Sequence, residues 1–289
     1  MSIKNSELIL NPDGSIYHLN LRPEHIAHTI IFVGDQDRVD KVTQHFDAIE
    51  FTTQKREFKT TTGFYKSKKI SVISTGIGPD NIDIVLNELD ALVNINLETR
   101  QPKEKLTSLN IVRIGTSGSL QKDIPVDSFL MSAYGLDLNG MLHSYQINAI
   151  SNPEIENAFV AQTNWSHKKP APIVIESSKE LASKIASEKT YTGITATAGG
   201  FYGPQGRILR LPLQDDGLNN KIDSFQHKNH RITNLEMETS AIYGLSQLLG
   251  HKALSMNAII ANRANGTFSK NPSKVVADLI VYTLDKLVE

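Results

Sequence analysis

The residues best suited to chemistry in this 289-residue chain are Arg113-Ile-Gly-Thr-Ser-Gly-Ser119, directly after an apolar run ending Ile111-Val112. They set a fixed cation beside two glycines and three hydroxyls. Glycines allow a sharp turn with inward-facing N–H groups, and such a nest holds anions. The guanidinium and hydroxyls add donors that match a tetrahedral oxyanion. The expectation is a phosphate or carboxylate cradle in a turn at a strand's end, although short Gly/Ser/Thr stretches also serve as plain turns. Gly34-Asp-Gln-Asp-Arg38 repeats the theme after a second apolar run, Thr29–Val33. Ligands of open α/β sheets collect beyond the carboxyl ends of strands, so both turns could converge on one anion. Arg56, within Lys55-Arg-Glu-Phe58, is a third candidate cation.

Elements that could position these groups are legible as β-branched runs at Thr29–Val33, Ile70–Ser74, Asn110–Ile114, Ser128–Tyr134, Ala171–Ile175, Tyr191–Thr197 and Leu254–Asn262. Helical patterns alternate with them. Ile82, Val85, Leu86, Leu89, Leu92 and Val93 share one face after the start signal Gly78-Pro-Asp80. Ala241, Ile242, Leu245, Leu248 and Leu249 precede a stop at Gly250, and Val276–Leu287 closes the chain. Alternation of this kind predicts one α/β domain over residues 1–289, with a central mixed sheet flanked by helices. Leu211–Asn234 is polar and reads as a surface insertion or lid.

Composition excludes several function classes. The chain is 39% hydrophobic with a net charge of −1, so no bulk charge favours nucleic acid or a membrane surface. It has no Cys, which removes disulfides, thiolate nucleophiles and Cys-ligated zinc. The first residues lack the apolar core of a signal peptide and no run is long enough to span a bilayer, so a cytoplasmic protein is expected. His227-x-x-His230 has helical i,i+3 spacing but no third ligand in sight, and no metal is expected.

Taken in order, Gly34-Asp-x-Asp-Arg38, Lys55-Arg-Glu-Phe58, Ser74-Thr-Gly-Ile-Gly78, Arg113-Ile-Gly-Thr116 and Glu236-Met-Glu238 resemble the nucleoside phosphorylase superfamily. The resembling branch contains uridine phosphorylases and the hexameric purine nucleoside phosphorylases, with a partly closed barrel within the sheet. The resemblance spans nearly the whole chain, from Tyr17-His18-Leu19 to the final helix, and implies reversible phosphorolysis of a nucleoside to a free base and a pentose 1-phosphate. It assigns Gly34, Arg38, Arg113, Gly115 and Thr116 to phosphate, with Arg56 contributed by a neighbouring subunit. Ribose falls to Glu236, Met237 and Glu238, expected in the first turn of a Leu235–Leu249 helix, and to a neighbour's His18. Phosphate is a co-substrate here, and no cofactor is implied.

The base-binding residues implied by the resemblance are Ser117, Gly118, Phe201, Gln205 and Arg207. Uridine phosphorylases carry a Phe-Tyr-x-x-Gln-x-Arg pattern, matched here by Phe201-Tyr-Gly-Pro-Gln-Gly-Arg207. A Gln amide sets donor and acceptor side by side, complementary to a pyrimidine N3–H and its carbonyl. Arg207 can stabilise the negative charge on departing uracil. Purine phosphorylases of the superfamily carry an Asp after the Leu254–Asn262 run, whereas this chain reads Asn262-Arg-Ala-Asn-Gly-Thr-Phe268, with no acid. Uridine is therefore the expected substrate, acted on by a dimer at minimum and a hexamer by resemblance. Alternatives are a purine phosphorylase or nucleosidase of the same fold, or a silent nucleoside-binding protein. Some members bind potassium at the dimer interface, but the Ser they use after Gly78-Pro-Asp-Asn81 is missing here.

Overall fold

A computed structural model describes residues 2–289. Its centre is a 12-stranded mixed sheet. Thr29–Val33 is buried along its whole length and pairs in parallel with Lys68–Ser74 on one side and Asn110–Ser119 on the other. A strand covered on both faces must be apolar throughout, which is how this one reads. Beyond it the sheet curls. Asn110–Ser119 pairs with Lys252–Asn262, which pairs with Phe129–Asp137, then Thr190–Thr197, then His230–Glu236. His230–Glu236 pairs back onto Asn110–Ser119, so five strands close into a ring.

Helices cover both faces. Pro79–Asn94 has Pro at its first turn and buries Ile82, Val85, Leu86, Leu89 and Leu92 in the same core as Ile242 and Leu245 of Thr239–Leu248. Full burial stabilises by roughly 1.5–3 kcal/mol for each such side chain. Gln36–Thr43, Lys179–Ile185 and Pro272–Val288 share a second core on the other face. No helix among the described residues is long and apolar enough to cross a membrane.

Several expectations need correction. Arg113–Ser119 is no turn: the strand runs from Asn110 to Ser119, its backbone engaged with Lys252–Asn262, and neither glycine has a positive φ. The glycines looked like turn formers because local composition carries no record of a long partner strand. Leu211–Asn234 is not wholly a surface insertion, since it holds a helix at Leu218–Asp223 and most of the ring strand His230–Glu236, with Ile232, Thr233 and Asn234 buried. Polar residues disguised this strand because its partners in the ring are polar too. Glu236 accordingly ends a strand, and the helix starts only at Thr239. His227 and His230 face each other across an antiparallel hairpin, not along a helix. The pair Ala48–Lys55 and Phe58–Tyr65 went unread, being rich in Thr and Lys.

Candidate active site

A cleft of about 290 Å³ opens at one end of the ring. Its walls include Gly34, Arg38, Arg113, Thr116, Ser117, Gly118, Phe201, Gln205, Arg207, Glu236, Met237 and Glu238. Residues spread over 205 positions of sequence thus meet in one place: Arg113–Gly118 and Glu236 lie in strands, and Gly34, Arg38, Phe201, Gln205 and Arg207 lie in the segments that follow Thr29–Val33 and Thr190–Thr197. Gly115 does not line the cleft, and neither do Arg56 nor His18. Arg56 sits at the exposed corner between Ala48–Lys55 and Phe58–Tyr65 with a φ of 54°, its carbonyl accepting from Gln36. His18 is held by Glu88 through Nδ1 at 2.6 Å.

Arg113 anchors the floor. Its Nη2 lies 2.6 Å from Glu238 Oε2 and 3.4 Å from Glu236 Oε2, and its Nη1 donates to Asn257 Oδ1 at 3.0 Å. Burial disfavours the charged guanidinium, but the carboxylates of Glu238 and Glu236 outweigh that and raise its pKa. A guanidinium has five N–H donors, so it keeps donors for an anion after these contacts. Arg38 lines the same cleft, paired with Asp35 at 3.0 Å. Burial lowers its pKa, with Asp35 opposing and the Arg113 charge adding to the depression. Two cations close enough to depress one another gain from an anion bound beside both.

Gly115 acts through Arg113. The two residues share a strand face, and a Cβ built on Gly115 would fall inside the Arg113 guanidinium. Glycine is needed here for close approach, not for a turn. Gly115→Ala is expected to displace the guanidinium and weaken inorganic phosphate binding tenfold or more, since a misplacement of about 1 Å can cost about 10²-fold. Calorimetric titration with phosphate checks this, and unchanged affinity would contradict it.

The acidic corner divides its work. Glu236 accepts from the Thr197 hydroxyl at 2.7 Å and from the N–H groups of Glu238 and Thr239. Its pKa is raised, first by burial. These bonds tie Glu236 to the turn that aims Glu238. Glu238 accepts from Arg113 and from the Gly78 N–H at 2.9 Å, where a φ of 102° favours glycine. Each Glu238 oxygen retains a lone pair, which suits a diol.

The far end is built from one short segment. Arg207 Nη1 donates to Gln205 Oε1 at 2.6 Å and to the Phe201 carbonyl at 2.5 Å, while its guanidinium covers the Phe201 ring at 3.8 Å. Burial lowers the Arg207 pKa. Arg263 Nη2 donates to the Gln205 carbonyl at 2.9 Å. Burial and then the Arg207 charge depress Arg263 to about 10, so it stays charged at neutral pH. Sequence reasoning left Arg263 without a role; it braces the segment that carries Gln205. Reasoning from sequence also missed Asp35, Ile77, Leu235, Ile260, Ala261 and Phe268 in the cleft wall. Ile260 and Ala261 adjoin a register break against Ser117 and Gly118, a bulge that no local pattern announces. Among the described residues no group of three or more His, Asp or Glu is placed to hold a metal ion.

Residues 28–286 match the family model described as the phosphorylase superfamily. A uridine phosphorylase from Thermococcus kodakarensis is 28% identical over 92% of this chain and 84% of its own length. A DeoD-type purine nucleoside phosphorylase from Listeria monocytogenes is 27% identical over 94% of this chain and 99% of its own. Among solved structures, a Trypanosoma brucei nucleoside phosphorylase described as showing uridine phosphorylase activity superposes with a TM-score of 0.86 at 28% identity. That match covers 97% of this chain and 99% of the other.

Proposed function

The chain belongs to the phosphorylase superfamily, and we propose that its reaction is the reversible phosphorolysis of uridine to uracil and ribose 1-phosphate. The observation that carries this reading is the cleft's division of charge. Arg38 and Arg113 line it with Glu238 in contact with Arg113, whereas Arg207 is hydrogen-bonded to Gln205 and has no carboxylate partner among the described residues. Phosphate is strongly hydrated and a poor nucleophile in water. Arg38, Arg113, the Thr116 hydroxyl and the backbone at Gly34 replace its hydration shell and hold one oxygen toward the sugar's anomeric carbon. Glu238 accepts from the ribose hydroxyls, and Met237 lies against the ring.

As the glycosidic bond breaks, positive charge builds on the sugar, as in other glycosyl transfers. The adjacent phosphate stabilises it. Negative charge builds on the base, where Arg207 donates to a carbonyl of departing uracil. A purine leaves most readily when an acid protonates its ring, and the far end supplies only cations and amides. The uridine and purine relatives match this chain at 28% and 27% identity, so the absence of an acid beside Arg207 and Gln205 is what favours uridine over a purine nucleoside. Purified protein with millimolar phosphate is expected to cleave uridine at least tenfold faster than inosine or adenosine. Faster inosine cleavage would transfer the chain to the purine enzymes.

Arg56 and His18 fit this scheme as contributions to a neighbouring copy's cleft, since neither reaches its own. The active species is then a homo-oligomer, dimeric at minimum and hexameric by family resemblance. Mixing inactive Arg113→Ala and Arg56→Ala subunits is expected to restore up to about a quarter of wild-type activity, because in a symmetric dimer half of the mixed pairs' sites are intact. No restoration after verified subunit exchange would place Arg56 outside the site.

A further inference from the structure

The cleft has a neighbour. A second cavity, of about 230 Å³, lies between Gln36–Thr43 and Pro272–Val288. Arg38, Thr116 and Ile260 line both spaces, so at these positions the partition is one residue thick. Arg38 and Thr116 are also the residues that meet phosphate in the scheme above. The cavity reaches the surface, because Lys41, Gln44, Ser273 and Ala277 around it are exposed.

Its charge differs from that of the cleft. The cleft wall includes three carboxylates, Asp35, Glu236 and Glu238, which oppose an approaching dianion. The cavity wall has Arg38 and Lys41 and no carboxylate. Lys41 follows Arg38 by three residues and shares its face of the helix. The acids closest in sequence are engaged elsewhere: Asp40 with Lys59 at 2.6 Å, Asp278 with Lys274 at 2.6 Å, and Asp37 on a separate cavity beside Glu57. A cation in the last turn suits the helix dipole on any face, and here the occupied face is the one toward the cavity. The Arg38 side chain makes a movable partition. Its ion pair is with a half-exposed Asp35, and exposed pairs hold by only about 0–1 kcal/mol.

Arg113 is 8% exposed, so phosphate reaches it only through a cavity, and a nucleoside lodged against Glu238 and Arg207 fills the cleft. We propose that the second cavity is a side entrance for inorganic phosphate, steered by Lys41 and gated by Arg38. Phosphate binds and leaves through it while the nucleoside occupies the cleft. The entrance presupposes the phosphorolysis reading above and adds to it a route that the cleft itself does not provide.

The route is read out by ³¹P exchange spectroscopy of inorganic phosphate on wild-type protein, Ala277→Trp and Lys41→Glu. Each is measured with and without saturating pseudouridine, a nucleoside whose carbon–carbon glycosidic bond phosphate does not cleave. Wild-type exchange is expected to continue with pseudouridine bound. Ala277 is exposed on the cavity rim, so an indole there obstructs the cavity without entering the core. With pseudouridine bound, Ala277→Trp should slow exchange about tenfold, since association rates fall when access is restricted. Its phosphate dissociation constant should not change, because a path alters rates and not equilibria. Lys41→Glu should lower the association rate about tenfold at low salt, and the difference should fade near 1 M salt, where the screening length is about 3 Å. Exchange that pseudouridine abolishes in the wild type, or a rate that neither variant changes, would overturn the side entrance. If Ala277→Trp does not fold, Lys41→Glu and its salt dependence decide alone. Wild-type protein that binds no phosphate would instead overturn the functional reading.

Discussion

Replacing Arg113 with alanine is expected to lower kcat/KM for phosphate by about 10³-fold, at the upper end of the range for removing one fixed donor to developing charge. The loss should appear at saturating uridine and should not be recovered at high uridine. Stability should fall as well. Arg113 is the partner that compensates Glu236 and Glu238, both buried. Breaking a buried ion pair by removing one member costs about 3–5 kcal/mol, because the other charge stays behind unpaired. The two effects separate in a double variant. Arg113→Ala with Glu238→Gln removes one stranded carboxylate and should regain part of the melting temperature while regaining no phosphorolysis. Activity returning with stability would mean that Arg113 serves the fold and not the nucleophile.

The second large effect is expected at the opposite end. Arg207→Ala should lower kcat for uridine about 10²-fold, as for other losses of transition-state charge stabilisation. It also strands the Gln205 amide oxygen, which Arg207 now satisfies at 2.6 Å, and uncovers the Phe201 ring. The leaving group distinguishes catalysis from simple binding. A 5-fluorouracil anion is intrinsically more stable than uracil's and needs less help to depart. The defect of Arg207→Ala should therefore be several-fold smaller for 5-fluorouridine than for uridine. An equal defect confined to KM for both nucleosides would reduce Arg207 to a binding contact.

Much of this site was legible in the sequence because its residue types are chemically explicit. Arg38, Arg113, Glu238, Gln205 and Arg207 were all singled out by motif, and the fold gathers them around one cleft. The elements that read correctly were those with one clear period. Thr29–Val33 appeared with its observed bounds, and Pro79–Asn94 was announced by its glycine, proline and apolar face. What failed was information held by partners distant in sequence. Gly115 and Gly118 read as turn residues, yet both lie within the strand paired with Lys252–Asn262, and Gly115 is small to admit a guanidinium two residues away. His230–Glu236 was hidden because its inward residues, Asn234 among them, face a polar lumen, so alternation of apolar and polar residues never developed. The ring closure that makes such a lumen is a long-range pairing, Leu235 with Gly118, and no local window contains both.

Cleft geometry supports a nucleophile held by Arg38 and Arg113, and the identity of that nucleophile can be read from the product. Uridine incubated with phosphate carrying four ¹⁸O atoms is predicted to yield uracil and ribose 1-phosphate that retains all four labels, detected by mass spectrometry. Free ribose bearing a solvent oxygen, formed at the same rate without phosphate, would show that water attacks and would contradict the account.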